Sequence, residues 1–187
     1  MKSFLNHEKM IIGLTGKKQH GKDTVADVLV ENGFLKLSFA DPLKKICQQL
    51  FSLDESQLHD PTMKEVVDPR WGKSPRQLFQ EIGTDLFRKH YDDRIWIKLL
   101  LHEIGKHPDR NIVVSDARFQ DECDALSDLQ NSEEVHIFKV VRPSMTLQDD
   151  HASENGILEN YETICNSGSL AEFQAALRER FKIFKRQ

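Results

Sequence analysis

Gly16-Lys17-Lys18-Gln19-His20-Gly21-Lys22-Asp23-Thr24 brings together the groups needed to hold a polyphosphate. Glycines at both ends let the backbone curl, so that successive N–H groups turn inward as donors to phosphate oxygens. Lys22 follows the second glycine, where an ammonium reaches the most highly charged end of a nucleoside triphosphate. Lys17, Lys18 and His20 concentrate positive potential locally. The position after the lysine ordinarily carries Ser or Thr, whose hydroxyl ligates Mg2+. Here it is Asp23, followed by Thr24. Asp23 either serves the metal, directly or through water, or orients a neighbouring lysine.

Other residues could complete such a site. Asp116 closes the apolar run Ile112-Val113-Val114-Ser115, where a carboxylate that orients magnesium belongs. Arg118, two residues on, is placed to bind an acceptor phosphate. The bland alternatives are a helix cap and a solvated arginine. Arg142 follows another apolar run and precedes a polar loop, a position from which an arginine can neutralise a transferring phosphoryl group. His151 and Glu154 lie in that loop and could close over a substrate. Arg76, Gln80 and Thr84 recur every four residues, so they share one side of a helix and could grip phosphate and base together. Arg88 lies further along. Trp71, Phe79 and Trp96 are the aromatic candidates for stacking on a base. Phe79 and Trp96 belong to apolar helical faces and read as core, whereas Trp71 sits in the loop-like Pro69-Arg70-Trp71-Gly72. No zinc-type ligand spacing and no Gly-x-Ser-x-Gly elbow occurs.

Positioning these groups requires strands that deliver loops to a common edge. The pattern predicts a strand at Met10–Leu14, a helix from Lys22 to about Glu31 stopped by Asn32-Gly33, and a second strand over Phe34–Phe39. Asp41-Pro42 predicts a cap and an N1 proline for a helix running to about Phe51. Ser74-Pro75 opens a helix with Leu78, Phe79, Ile82 and Leu86 on one face. Ile95–Leu101 is apolar nearly all round and predicts a buried helix. Further strands are expected at Ile112–Asp116, Val135–Val141 and Tyr161–Cys165. Helices are expected near Asp121–Leu129 and over Leu170–Lys185, with a polar loop from Pro143 to about Asn155. This alternation predicts an α/β fold, with a five-stranded, largely parallel sheet, helices on both faces and a short lid loop. Ligands then bind beyond the carboxyl ends of the strands.

The 187 residues suit a single domain, with 39% hydrophobic and 30% charged residues. A net charge of -4 argues against bulk nucleic-acid binding. No apolar run is long enough for a membrane span, and Met1–Lys9 does not read as a secretory leader. Cys47, Cys123 and Cys165 are odd in number and far apart, which predicts reduced thiols in a cytoplasmic setting. A homodimer is left open.

The loop ending in Gly21-Lys22-Asp23-Thr24 resembles that of the phage-type deoxynucleoside monophosphate kinases. So do Ser38-Phe39-Ala40-Asp41-Pro42-Leu43-Lys44, Ser74 to Asp85, Ser115-Asp116-Ala117-Arg118-Phe119 with Glu122, Arg142-Pro143, and Asp150 to Glu154. These blocks run in order through most of the chain, and Ser74 to Asp85 is the most specific of them. The resemblance implies a three-layer P-loop kinase core, ATP and Mg2+ as cofactors, and transfer of phosphate to a (deoxy)nucleoside 5'-monophosphate as the small-molecule substrate. Animal-type phosphomevalonate kinases share the Gly-Lys-Asp loop and an Asp-x-Arg strand end, and form the nearest alternative. A nucleotide-dependent switch is the alternative from a different class; its guanine-reading Asn-Lys-x-Asp motif does not occur.

Overall fold

Met10–Thr15 is buried at every position, as expected of a strand covered on both faces. It forms β1, at the centre of a five-stranded sheet with strand order β2-β3-β1-β4-β5. The other strands are β2 Leu35–Leu37, β3 Ile112–Ala117, β4 Glu134–Val141 and β5 Glu162–Cys165. Every pairing is parallel, with Ile12 opposite Val113 on one side and His136 on the other. The computed structural model describes residues 9–145 and 161–184. The chain divides into two compact units, Met1–Ser38 with Ile104–Gln187, and Phe39–Glu103.

The first unit holds the whole sheet. Helix α1, Lys22–Glu31, buries Val25, Ala26, Val28 and Leu29 in one core with Ile12, Leu14, Val113 and Val140. The C-terminal helix Leu170–Arg180 adds Phe173 and Leu177 to that core, and the 3-10 turn after it adds Phe181. Because all five strands run the same way, the residues that leave β1, β2, β3, β4 and β5 emerge at one edge of the sheet.

The second unit is helical. Helix α2, Asp41–Phe51, and the one-turn α3, Glu55–His59, pack with α4, Pro75–Gln80, around Cys47, Leu53, Leu58 and Leu78. Burial pushes the Cys47 thiol up to about 12, so it is an inert core group. Ser74 caps α4 with a reciprocal box to Gln77. From Glu81 to Arg88 the helix continues as a π-helix. Helix α5, Ile95–Gly105, begins in this unit. Its Trp96 donates to the Gly83 carbonyl at 3.0 Å, and a Cβ on Gly83 would lie 2.6 Å from Leu43 Cδ2.

Several boundaries differ from the sequence pattern. β2 covers only Leu35–Leu37, as an edge strand with one neighbour. Ala40 is the N-cap of α2 and Asp41 its first residue. The capping box of Asp54 and Gln57 stabilises α3, which is too short to show apolar periodicity. The last helix stops at Arg180 and tightens into a 3-10 turn over Phe181–Phe184. Leu86 is 51% exposed because it lies beyond the cluster that covers Leu78 and Ile82. Leu99 also faces outward, while Trp96, Ile97, Leu100 and Ile104 are buried, so α5 has one solvent-facing side. No helix among the described residues is long and apolar enough to cross a membrane.

Candidate active site

The phosphate loop joins β1 to α1 through backbone that few residues could adopt. Gly16 and Gly21 have φ of 130° and 105°. A Cβ on Gly16 would sit 2.2 Å from the Val140 carbonyl oxygen, so only glycine fits there. Gly21 is the N-cap of α1 and supplies no capping side chain. The first-turn N–H groups of α1 therefore face the loop with the positive end of the helix dipole behind them. The Lys22 ammonium folds over the loop and donates to the carbonyls of Gly16 at 2.5 Å and Lys17 at 2.9 Å. Lys17 and Gln19 are exposed, and Lys18 and Thr24 are half-buried.

His20 lies differently from its loop neighbours. Its ring is buried, with Nδ1 3.3 Å from the Arg142 backbone N–H and 3.4 Å from the Val140 carbonyl. Its own carbonyl accepts a hydrogen bond from Asn166 Nδ2 at 3.0 Å. Asn166 was not among the sequence candidates; its signal there is only that of a turn residue after β5.

At the end of β3, Asp116 Oδ2 accepts a 2.6 Å hydrogen bond from Ser38 Oγ, which follows β2. The next turn is held by Glu122, a buried carboxylate that accepts the backbone N–H of Arg118 at 2.8 Å and of Phe119 at 3.2 Å. Arg118 and Arg142 are both half-buried, at the exits of β3 and β4. Asp23 pairs with Lys36 of β2 at 3.1 Å, and Asp27 pairs with the same ammonium at 3.0 Å. Burial works against the Lys36 charge, but the two carboxylates outweigh it and raise its pKa above the usual lysine value.

The second unit carries the remaining candidates. Arg76 Nε donates to Glu65 Oε1 at 2.6 Å. Gln80 and Arg88 are half-buried. Trp71 lies in a turn closed by Asp68 and Lys73; its indole donates to the Phe51 carbonyl at 2.9 Å, and its ring meets Phe51 edge-on. Phe79 and Trp96 belong to the packing. His151 and Glu154 lie outside the described residues.

A magnesium ion, which the resemblance implies, would meet hard oxygen donors at Asp116 and Ser38. Among the described residues no cluster of three or more His, Cys, Asp or Glu side chains could hold a metal ion. A carboxylate such as Asp116 with its hydroxyl neighbour nevertheless suits Mg2+, which takes one or two carboxylates and completes its shell with water and substrate phosphates.

A glycine-built anion loop at the carboxyl edge of a parallel sheet, with arginines at the neighbouring strand exits, defines a P-loop phosphotransferase. The family model for deoxynucleotide monophosphate kinase matches residues 62–177. A mimivirus protein (Acanthamoeba polyphaga mimivirus), provisionally named a deoxynucleotide monophosphate kinase, is 35% identical over 90% of this chain and 94% of its own. The deoxynucleoside-5'-monophosphate kinase of Escherichia phage T5 is 33% identical over 48% of this chain and 37% of its own length. The deoxynucleotide monophosphate kinase of Enterobacteria phage T4 is 31% identical over 63% of this chain and 48% of its own. The crystal structure of TT1252 from Thermus thermophilus shares the fold, with a TM-score of 0.51 over 94% of this chain and 98% of that one at 18% identity. The chain belongs to the deoxynucleotide monophosphate kinase family and is a phosphotransferase.

Proposed function

We propose that this enzyme transfers the γ-phosphate of ATP to a deoxynucleoside 5'-monophosphate, giving the diphosphate. The observation that carries the reading is the loop itself: two left-handed glycines, an uncapped helix start and a lysine folded over the loop. Backbone N–H groups from Lys17 to Lys22 bind the β- and γ-phosphates, and Lys22 exchanges its loop carbonyls for them. Asp116, with Ser38 fixing its carboxylate, would hold Mg2+ directly or through water, and Asp23 is the second candidate. When bound, the ion neutralises charge on the phosphates.

An acceptor phosphate is already anionic near neutral pH, so no dedicated base is required. The remaining work is alignment and charge neutralisation. Arg118 and Arg76 take the acceptor phosphate, with Gln80, Arg88 and Trp71 as contributors to reading the nucleoside. Arg142 meets the transferring group. All four of Trp71, Arg76, Arg118 and Arg142 lie within the residues matched by the family model. His151 and Glu154, which follow Arg142 in the chain, complete the proposed set.

The test is ADP release from ATP and Mg2+ with a panel of deoxynucleoside monophosphates, their ribose counterparts and phosphomevalonate. Turnover confined to nucleoside monophosphates supports the proposal. Turnover with phosphomevalonate alone, or slow hydrolysis indifferent to every acceptor, overturns it.

A further inference from the structure

The crest of the phosphate loop is anchored from behind by two buried side chains that phosphate contact does not explain. Asn166 is 6% exposed and lies just past β5. Its backbone N–H donates to the Val141 carbonyl at 2.8 Å, which fixes the residue against the end of β4. Its side-chain amide then donates to the His20 carbonyl at 3.0 Å. A loop that gathers anions must turn its carbonyls away from them, since each carbonyl oxygen is a partial negative charge. Asn166 draws the His20 carbonyl toward the protein interior. The fit is tight, because a Cβ on the next residue, Gly21, would lie 2.7 Å from Asn166 Nδ2.

His20 makes the second connection. It too is 6% exposed, and its Nδ1 lies 3.3 Å from the Arg142 backbone N–H. Between Gly16 and Gly21, Gln19 adopts a left-handed φ of 61°, which turns the chain so that the following His20 ring enters the protein. The loop crest, the end of β4 and the residue after β5 are thus joined by side chains.

We propose that Asn166 and His20 are positioning residues that clamp the phosphate loop to the ends of β4 and β5, so that the donors for the triphosphate and the backbone of Arg142 are set in one frame. The inference rests on the reading that this loop holds the triphosphate. A preorganised donor array costs no reorganisation when the anion arrives. Without the clamp the loop must be ordered by the ligand, and part of the binding energy is lost.

The experiment uses the full chain with Asn166→Ala, Asn166→Ser, His20→Leu and His20→Asn. Thermal unfolding comes first, so that only variants folded at the assay temperature are compared. Calorimetry with a non-hydrolysable ATP analogue then reads the loop without any acceptor, and steady-state kinetics read KM for acceptor and kcat. Both Asn166 variants are expected to weaken analogue binding at least tenfold and to change acceptor KM less than twofold. His20→Leu is expected to lower kcat at least tenfold. His20→Asn, whose side-chain amide carries both an acceptor for the Arg142 N–H and a donor for the Val140 carbonyl, should recover most of that loss. Unchanged analogue affinity in a folded Asn166 variant overturns the clamp, as does equal behaviour of His20→Leu and His20→Asn. Failure of the kinase reading appears separately, as wild-type protein that does not phosphorylate any nucleoside monophosphate.

Discussion

The phosphate loop and the Ser74–Arg88 helix both present cations, yet they are held in different ways. In the loop, geometry is set by backbone. A side chain on Gly16 would strike the carbonyl oxygen of Val140, which has nowhere to move. In the helix, a side chain on Gly83 would meet only the tip of Leu43. The cations in and beside it are compensated by carboxylates: Arg76 by Glu65, Lys73 by Glu81 and Lys89 by Asp85. Lys22, by contrast, donates to the loop's own carbonyls, those of Gly16 and Lys17. In the proposed roles, the nucleotide end has a backbone preset by its glycines, whereas an acceptor phosphate at Arg76 would have to displace Glu65.

This contrast can be broken most severely at the loop. Lys22→Ala should lower turnover by on the order of 10³-fold, the scale expected when a preorganised charge-stabilising donor is lost. Circular dichroism should show the fold intact; near-normal turnover in that protein would remove the loop from the mechanism.

Arg76→Ala and Arg118→Ala should cost about 1.5–3 kcal/mol each in kcat/KM for the acceptor, the range for hydrogen bonds to charged groups. Steady-state kinetics over acceptor concentration measure it. Normal acceptor use in both proteins would relocate the acceptor pocket and turn attention to His151 and Glu154.

Gly83→Ala sharpens the comparison through stability. Leu43 must yield by a few tenths of an ångström or more, so the change should destabilise by about 1–2 kcal/mol. Urea unfolding gives the cost, and ATP-analogue binding should be unaffected.

The same unit carries a pH signature. Asp68 accepts hydrogen bonds from Arg70 and Gln57, which hold its carboxyl far below the usual range. Its folded pKa is depressed, so its stabilisation is complete above the unfolded value of about 3.9 and is lost as pH falls further. Asp68→Asn should flatten acid unfolding below that pH; an unchanged acid limb would mean the pairing contributes nothing.

The smallest effect is expected at Asp23. Its pair with Lys36 is exposed on the Asp23 side, 83% by side-chain area, and such pairs contribute about 0–1 kcal/mol. Asp23→Ala should shift the magnesium requirement upward with little change in stability. An unchanged magnesium titration with weaker acceptor use would assign Asp23 to the acceptor side.

What the sequence made legible follows the same division. The strand-loop-helix context of Gly16 to Thr24 was readable because glycines, lysine and an apolar run are local signals, and α1 spans the expected Lys22–Glu31. The centre of the sheet was readable because β1 and the start of β3 are continuous apolar runs. Asn166 and the inward turn of His20 were not, since they arise from contacts across more than a hundred residues. The π-helix was hidden because its few large apolar residues, Ile82, Leu86 and Phe87, lie at spacings that an α-helix also allows. The ion pair of Asp23 with Lys36 needed β2 beside α1, although a lysine partner for Asp23 was one of the two roles its position allowed.

The separation of the two ends is tested most directly by one set of calorimetric titrations. Wild type, Lys22→Ala and Arg76→Ala are each titrated with a non-hydrolysable ATP analogue and, separately, with a deoxynucleoside monophosphate that the enzyme turns over. Lys22→Ala should lose analogue affinity and retain the monophosphate, and Arg76→Ala should do the reverse. Loss of both ligands in step in either folded protein would contradict the account.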